Sequence, residues 1–392
     1  MTLVYIVAGE QSGDALGAKL IVALRAARPD LQFAGVGGPQ MEEAGLPSLF
    51  SITELAVMGL LEVLPRIRQI AGLLRAAEHD ILARRPDVVV TIDSPGFTLR
   101  LLGRLRDSGL KRIHYVAPQV WAWRESRVKK YPGLWDRLLC LLPFEPAFFA
   151  RHGITARFVG HPAISAGVEN GDAARFRARH GIACGAPILL VLPGSRRSEV
   201  SRLLPIFGEV ARRLAPRHPG LVVVVPVASA VAGAVLTGTK SWQTPPVIVT
   251  DLADKIDGFA AATAALTKSG TSTLELALAN VPMVVAYRLN PMTAAIVWAT
   301  VKVKYASIVN LLLDRFLAPE FIQGDCTVAN LTAATDALLS GDGGAAQREG
   351  FTALRAMLTP PGQTPAEAAA AEVLALLRGQ DDLTLATARV DT

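Results

Sequence analysis

From Leu3 onward the chain repeats one pattern: a short, nearly continuous apolar run, then a longer stretch in which apolar positions recur at helical spacing. The runs LVYIVA, QFAGVG, DVVVTID, RIHYVAP and RLLCLLP predict strands up to about Pro143, and ARFVGHP (156–162) closes this half. Unbroken apolar runs, as opposed to alternating ones, are the mark of parallel strands covered on both faces. NGDAARFRARHGIACGAP (170–187) predicts a connection with a helix inside it, after which PILLVLP, LVVVVP, PVIVT, TAALTKSG and PMVVAY restart the pattern. Beyond about residue 290 the strand signal fades, and TPAEAAAAEVLALLRG (364–379) predicts a helix begun by a threonine cap and ended by glycine. The economical architecture is α/β: two doubly wound, Rossmann-like domains facing each other across a cleft. The expected boundaries are 1–168, 169–360, and 361–392 for a C-terminal helix, packed back on the N-terminal domain or on a partner subunit, with a frayed tail.

Composition narrows the picture. With 392 residues, 51% hydrophobic and 19% charged, and a mean hydropathy of +0.35, the chain can bury a large core and is too apolar for extensive disorder. The most apolar stretches, 221–236 and 292–301, fall short of the roughly 20 residues a bilayer crossing needs. The N-terminus lacks a basic leader region and reaches Glu10 too early for a signal peptide, so a cytoplasmic location is expected. Cys140, Cys184 and Cys326 show no metal-ligand spacing and read as ordinary thiols. A net charge of +6 favours an anionic partner: a nucleotide, a nucleic acid or an acidic lipid surface. Nucleic acid is disfavoured, because the basic residues come in short groups without an aromatic-studded motif.

In open parallel sheets ligands bind beyond the carboxyl ends of the strands, and the loops expected there carry the candidate chemistry. In LLVLPGSRRSEVSRLLPIF (189–207) a strand ends at Pro193, and Gly194, Ser195 and Arg196 precede a helix whose first turn holds Glu199. A serine cap, open backbone N–H groups and a guanidinium would make a diphosphate site; a plain capped helix with solvated arginines is the alternative. In TKSGTSTLELALANVPMVVAYR (267–288), Gly270 allows close approach, Ser269 and Thr271 offer hydroxyls, and Glu275 could accept a ribose diol or simply face solvent. VAGEQSGDALGAKL (7–20) is not a GxGxxG loop, which disfavours a dinucleotide oxidoreductase, but Glu10, Ser12 and Gly13 sit where a sugar could approach a helix N-terminus. In VVVTIDSPGFTLRL (88–101), Asp93 ends a central strand, where it could be a general base for a sugar hydroxyl or a helix cap. Trp121 and Trp123, in HYVAPQVWAWRESRVKK, could line a surface for something partly apolar or pack in the core. His114 and His161 receive no role, and no motif supports metal or ATP chemistry.

Taken together, AGEQSGD, ELAVMGLLEVL, TIDSP, HYVAPQVWAWR, LPFEPAFF, VGHP, LPGSRRSEV and SGTSTLE resemble, in order and spacing, the lipid-A-disaccharide synthase family across nearly the whole chain. The resemblance implies a GT-B fold with an N-terminal acceptor and lipid side and a C-terminal UDP-sugar side. It also implies inverting transfer from UDP-2,3-diacylglucosamine to 2,3-diacylglucosamine 1-phosphate, forming a β-1,6 linkage and releasing UDP, with no cofactor and no metal. The family's essential aspartate falls on Asp93 and its diphosphate arginine on Arg196; Glu275 and Asn310 match its nucleotide-side residues. Gln11, Gly96, Lys268 and Val309 depart from the family pattern, and Lys268 adds a charge beside the nucleotide site. For the acyl chains, VMGLLEVLPRIRQIAGLLR (57–75) predicts a membrane-surface helix pair. In it Leu61, Ile67, Ile70, Leu73 and Leu74 would meet the acyl boundary of an anionic inner membrane while Arg66, Arg68 and Arg75 meet lipid phosphates; packing on the domain's own core is the alternative. TAAIVWATVKVKY (293–305) is a second such stretch. The resemblance leaves the oligomeric state open, a homodimer included. Two other functions fit the same loops: a GT-B transferase or epimerase acting on a non-acylated UDP-sugar, and a non-catalytic nucleotide- or lipid-binding protein.

Overall fold

A computed structural model describes residues 1–55, 60–123, 125–290 and 303–379, with the side chains of 60–67 outside that description. The chain divides into two compact units, one formed by Met1–Pro162 with Leu358–Thr392, the other by Ala163–Met357.

In the first unit the strands are β1 (Leu3–Ala8), β2 (Gln32–Val36), β3 (Val88–Ile92), β4 (Arg112–Tyr115), β5 (Arg137–Cys140) and β6 (Ala156–Phe158). All pair in parallel, in the order β2-β1-β3-β4-β5-β6. The helices between them are α1 (Gln11–Ala27), α2 (Pro39–Glu43), α3 (Leu60–Arg84), α4 (Pro95–Arg104), α5 (Val120–Trp123) and α6 (Glu145–Ala150). Every residue of β3 is buried, as its unbroken apolar run requires. Because β1 is flanked by β2 and β3, the chain reverses its direction of travel across the sheet between β1 and β3, and a crevice opens there at the strands' carboxyl ends.

The second unit repeats the plan with β7 (Ile188–Leu192), β8 (Val222–Pro226), β9 (Val247–Val249), β10 (Ala264–Lys268), β11 (Met283–Tyr287) and β12 (Glu320–Ile322), ordered β12-β11-β10-β7-β8-β9 and again parallel. Its helices are α7 (Ala173–His180), α8 (Arg197–Leu214), α9 (Ala232–Thr239), α10 (Leu252–Ala261), α11 (Thr271–Leu278), α12 (Ile308–Leu313), α13 (Val328–Leu339) and α14 (Ala345–Leu358). The reversal here lies between β7 and β10. Strand β12 escapes the sequence reading because it is a half-buried edge of three residues with no apolar run to announce it.

The C-terminal helix α15 (Pro365–Arg378) returns to the first unit, with Thr364 capping its start and Gly379 ending it in a left-handed turn. Its face of Ala368, Ala369, Ala370, Val373 and Leu376 joins Leu20, Ile21 and Leu24 of α1 in one core. Alanines let the helices approach closely. Lys111 donates to the carbonyls of Leu376 (2.7 Å) and Leu377 (3.2 Å), placing a cation on the helix's negative end, and Arg137 bonds Glu372.

The expected pair of membrane-surface helices is one helix, α3, from Leu60 to Arg84. Leu74 is buried, and Ile70 and Leu73 pack beside it against a core that includes Tyr5, Val7, Val36 and Val89, so these three side chains serve the unit's own interior. Arg68 and Arg75 are exposed. The side chains of Leu61 and Ile67, and the stretch 291–302, lie outside the described residues. Among the described residues no helix is long and apolar enough to cross a membrane.

Candidate functional site

The candidate residues of the first unit gather at its reversal point. Asp93 and Ser94 follow β3, both in the left-handed region at φ 47°. Two consecutive non-glycine residues in that region store strain of roughly 1–3 kcal/mol each. The turn is held from both sides: the Asp93 N–H donates to the Tyr115 carbonyl (2.9 Å), and the Thr98 hydroxyl donates to the carbonyls of Asp93 (2.6 Å) and Ser94 (3.0 Å). Ser94, not Asp93, occupies the cap position of α4, so the aspartate's carboxylate is not spent on capping that helix. Burial pushes the Asp93 carboxyl above its ordinary pKa, and a hydrogen bond from the Ser94 N–H offsets part of that rise.

The loop after β1 lies against this turn. A Cβ at Gly9 would fall 2.4 Å from the Ser94 hydroxyl, so only glycine fits. Gly13 is buried, and a Cβ there would meet Ala8 at 3.3 Å and the Ile92 carbonyl at 3.5 Å, while Glu10 and Ser12 are exposed at the start of α1. Asp14, which the sequence reading passed over, accepts from the backbone N–H groups of Gly38, Gln40 and Met41 (2.8, 3.1 and 3.0 Å), fastening the β2–α2 loop to α1. Its signal was only that it is an acid inside an apolar helix face.

The two tryptophans divide between the two readings. The Trp121 indole donates to Glu145 (3.0 Å), meets Phe144 edge-on and packs on the core, whereas Trp123 is 45% exposed. Glu145 is buried, accepts also from Leu141 and Leu142 N–H, and is pushed up to about 7, chiefly by burial. His114 and His161 are buried, and burial lowers them to about 3 and about 4, so both stay neutral.

In the second unit the β7 and β10 loops meet through an ion pair. Glu199, in the first turn of α8, accepts from the N–H groups of Ser195 (3.1 Å) and Arg196 (3.3 Å) and faces the Lys268 ammonium at 3.2 Å. This corrects two expectations. The cap residue is Arg196, not Ser195, and two of the N–H groups expected to greet a diphosphate are already held by the Glu199 carboxylate. Gly194 has φ 122°, and a Cβ there would meet Glu199 at 2.4 Å, which is why the loop carries glycine. The extra charge of Lys268 is neutralised by Glu199. What stays open to a ligand is Arg196, whose side chain is 79% exposed with its guanidinium 3.7 Å from Glu199.

Across the reversal point, Ser269 donates to the Ala306 carbonyl (2.7 Å), Gly270 turns the chain into α11 and Thr271 is exposed. Glu275 binds Lys255 through one oxygen at 2.9 Å. Asn310 is fully buried: its amide donates to Ala318 and Glu320 (both 2.7 Å) and its oxygen accepts from Leu317 and Ala318 N–H (both 2.9 Å). Its hydrogen-bonding groups are occupied within the chain, so it shapes the 314–320 turn and leaves no group for a nucleotide. Among the described residues no group of three or more histidine, cysteine or acidic side chains could hold a metal ion.

Comparison with known proteins places this arrangement. The S. aureus MnaA–UDP co-structure superposes with a TM-score of 0.62 at 14% identity over 97% of each chain. The calicheamicin glycosyltransferase does so at 0.59 and 18%, over 97% of this chain and all of that one. At such identities the likeness is one of fold, that of GT-B glycosyltransferases and epimerases. Lipid-A-disaccharide synthase of Gluconobacter oxydans is 54% identical over 96% of this chain and 91% of its own length, and that of Granulibacter bethesdensis 51% over 96% and 98%. The family described as lipid-A-disaccharide synthetase matches residues 4–372. With that span and those identities, the chain belongs to the lipid-A-disaccharide synthetase family.

Proposed function

We propose that the protein joins UDP-2,3-diacylglucosamine to 2,3-diacylglucosamine 1-phosphate, giving the β-1,6-linked disaccharide 1-phosphate and UDP. Family membership makes it a hexosyltransferase; the residue roles rest on where the loops stand. The observation that carries them is that a candidate base and a candidate cation each sit at the strand-end reversal point of their own sheet.

The chemistry is a single displacement. Asp93 takes the proton from the acceptor's 6-hydroxyl, the oxygen attacks the anomeric carbon, and the carbon–oxygen bond to UDP breaks with its electron pair passing to the diphosphate. A half-buried carboxylate whose pKa burial has raised is a stronger base than a solvated one. Arg196, exposed and anchored at the start of α8, meets the growing diphosphate charge, helped by that helix's dipole. Glu275 keeps one carboxylate oxygen for the ribose while Lys255 fixes the other.

Association with the cytoplasmic face of an anionic inner membrane is proposed through the exposed Arg68 and Arg75 of α3 and the net charge of +6. The experiment for the whole reading mixes purified protein with the two diacylated glucosamine substrates and looks for UDP and a disaccharide by mass spectrometry. Donor turnover to a C2 epimer, or UDP binding with no product, would move the protein to an epimerase or to a binding protein.

A further inference from the structure

The turn that carries Asp93 depends on one buried hydroxyl. Thr98 lies in α4 with no surface exposed, its hydroxyl 2.6 Å from the Asp93 carbonyl and 3.0 Å from that of Ser94. A hydroxyl has one proton to give, and the two contacts differ in consequence. The Ser94 carbonyl accepts also from the N–H groups of Phe97 and Thr98, both at 3.0 Å, so it keeps partners without the side chain. Among the described residues the Asp93 carbonyl has only the Thr98 hydroxyl as donor. That carbonyl belongs to the planar peptide whose other end, the Ser94 N–H, donates to the Asp93 carboxylate. Rotating the peptide to find the carbonyl a new donor would therefore pull the N–H away from the carboxylate.

The turn has reason to move once released, because Asp93 and Ser94 both stand in the left-handed region that non-glycine residues avoid. Two other contacts fix its place. The Asp93 N–H is bound to the Tyr115 carbonyl, and Gly9 lies so near that a Cβ there would come within 2.4 Å of the Ser94 hydroxyl. Neither holds the rotation of the peptide between Asp93 and Ser94, which falls to Thr98. We propose that Thr98 is a positioning residue for glycosyl transfer: through that peptide it holds the Asp93 carboxylate in the orientation from which it takes the acceptor's proton. Being fully buried, Thr98 touches no substrate, so its effect belongs to turnover and not to binding. The proposal rests on the reading of Asp93 as the base. A reacting group displaced by roughly 1 Å loses on the order of a hundredfold in rate, which sets the scale of the effect.

Four variants separate orientation from stability. Thr98→Val keeps the outline of the side chain and removes the hydroxyl, Thr98→Ser keeps the hydroxyl and gives up the methyl, Thr98→Ala removes both, and Asp93→Asn removes the base. Initial rates would be measured over a range of both diacylated substrates, with melting followed in parallel. Thr98→Val should lower kcat by about ten- to a hundredfold and leave each KM within about twofold of wild type. Thr98→Ser should turn over near the wild-type rate although it melts lower, so that kcat follows the hydroxyl and not the melting temperature. In an Asp93→Asn background Thr98→Val should cost nothing further, since no carboxylate remains to be oriented. Wild-type kcat in Thr98→Val would overturn the proposal, as would a Thr98→Ser enzyme as slow as Thr98→Val, or the full penalty persisting in the Asp93→Asn background. Should Thr98→Val fail to fold, Thr98→Ser and Thr98→Ala differ by the hydroxyl alone, and equal kcat in those two would overturn it. A wild-type rate in Asp93→Asn itself would instead remove the base on which the proposal rests.

Discussion

The ion pair between Glu199 and Lys268 ties the two loops of the nucleotide-side unit, and breaking it should show in both stability and ligand affinity. The two side chains are 10% and 20% exposed. At their 3.2 Å separation and an effective dielectric near 20, the bare attraction is about 5 kcal/mol. Desolvation of both groups offsets most of this, leaving an expected coupling of about 1–3 kcal/mol. The test is a double-mutant cycle of Glu199→Gln, Lys268→Ala and both together, followed by calorimetry and UDP titration. Glu199→Gln strands a half-buried ammonium and weakens two charge-assisted backbone bonds, a loss of roughly 2–4 kcal/mol; at roughly 2–4 °C per kcal/mol for a domain of this size the transition should fall by about 4–16 °C. Lys268→Ala leaves the exposed Arg196 guanidinium, 3.7 Å away, to balance Glu199 beside the phosphate loop, and UDP should bind about tenfold more weakly. Adding Glu199→Gln to it should recover part of that affinity. Strictly additive melting shifts, or UDP affinity indifferent to Lys268→Ala, would refute the idea that this pair sets the loop's charge.

Other consequences are as direct. Arg196→Ala should lower turnover by about a hundredfold, the scale of losing one preorganised charge donor, with Arg196→Lys recovering part of it; equal rates for Ala and wild type would remove Arg196 from the chemistry. Arg68→Glu/Arg75→Glu should reduce sedimentation with anionic vesicles and leave melting nearly unchanged, because both side chains are exposed; retained binding would place the membrane contact elsewhere. The Glu145 carboxyl, pushed up to about 7, favours the fold fully below its unfolded value near 4.5 and loses that contribution as pH rises through 7. Glu145→Gln should therefore flatten the decline in melting temperature over that window, and parallel curves for the two proteins would contradict the burial argument.

Much of the fold was written in the chain because buried parallel strands are unbroken apolar runs. DVVVTID predicted β3, and the polar residue closing such a run has to lie at the strand's carboxyl end, which is how Asp93 could be placed. Pro95 stands at the first turn of α4, where proline is favoured. What stayed hidden depends on partners distant in sequence. Nothing near Glu199 announces that Lys268 faces it, or that its carboxylate would take the N–H groups of Ser195 and Arg196. Asn310 entered only through the family resemblance, and its residue type does not reveal that Leu317, Ala318 and Glu320 consume its hydrogen bonds. The leucines of α3 have the spacing of a membrane-facing stripe and of a core-facing one alike, and only packing against Tyr5 and Val89 separates the two.

The central claim is that the half-buried carboxylate on the strained turn after β3 is the base for glycosyl transfer. The most direct measurement is the single-turnover rate of purified Asp93→Asn with both substrates saturating. A fall of about a hundredfold or more is predicted, with donor binding retained and the protein melting no lower than wild type, since the substitution removes a charge that burial disfavours. A rate close to that of the wild-type protein would contradict it.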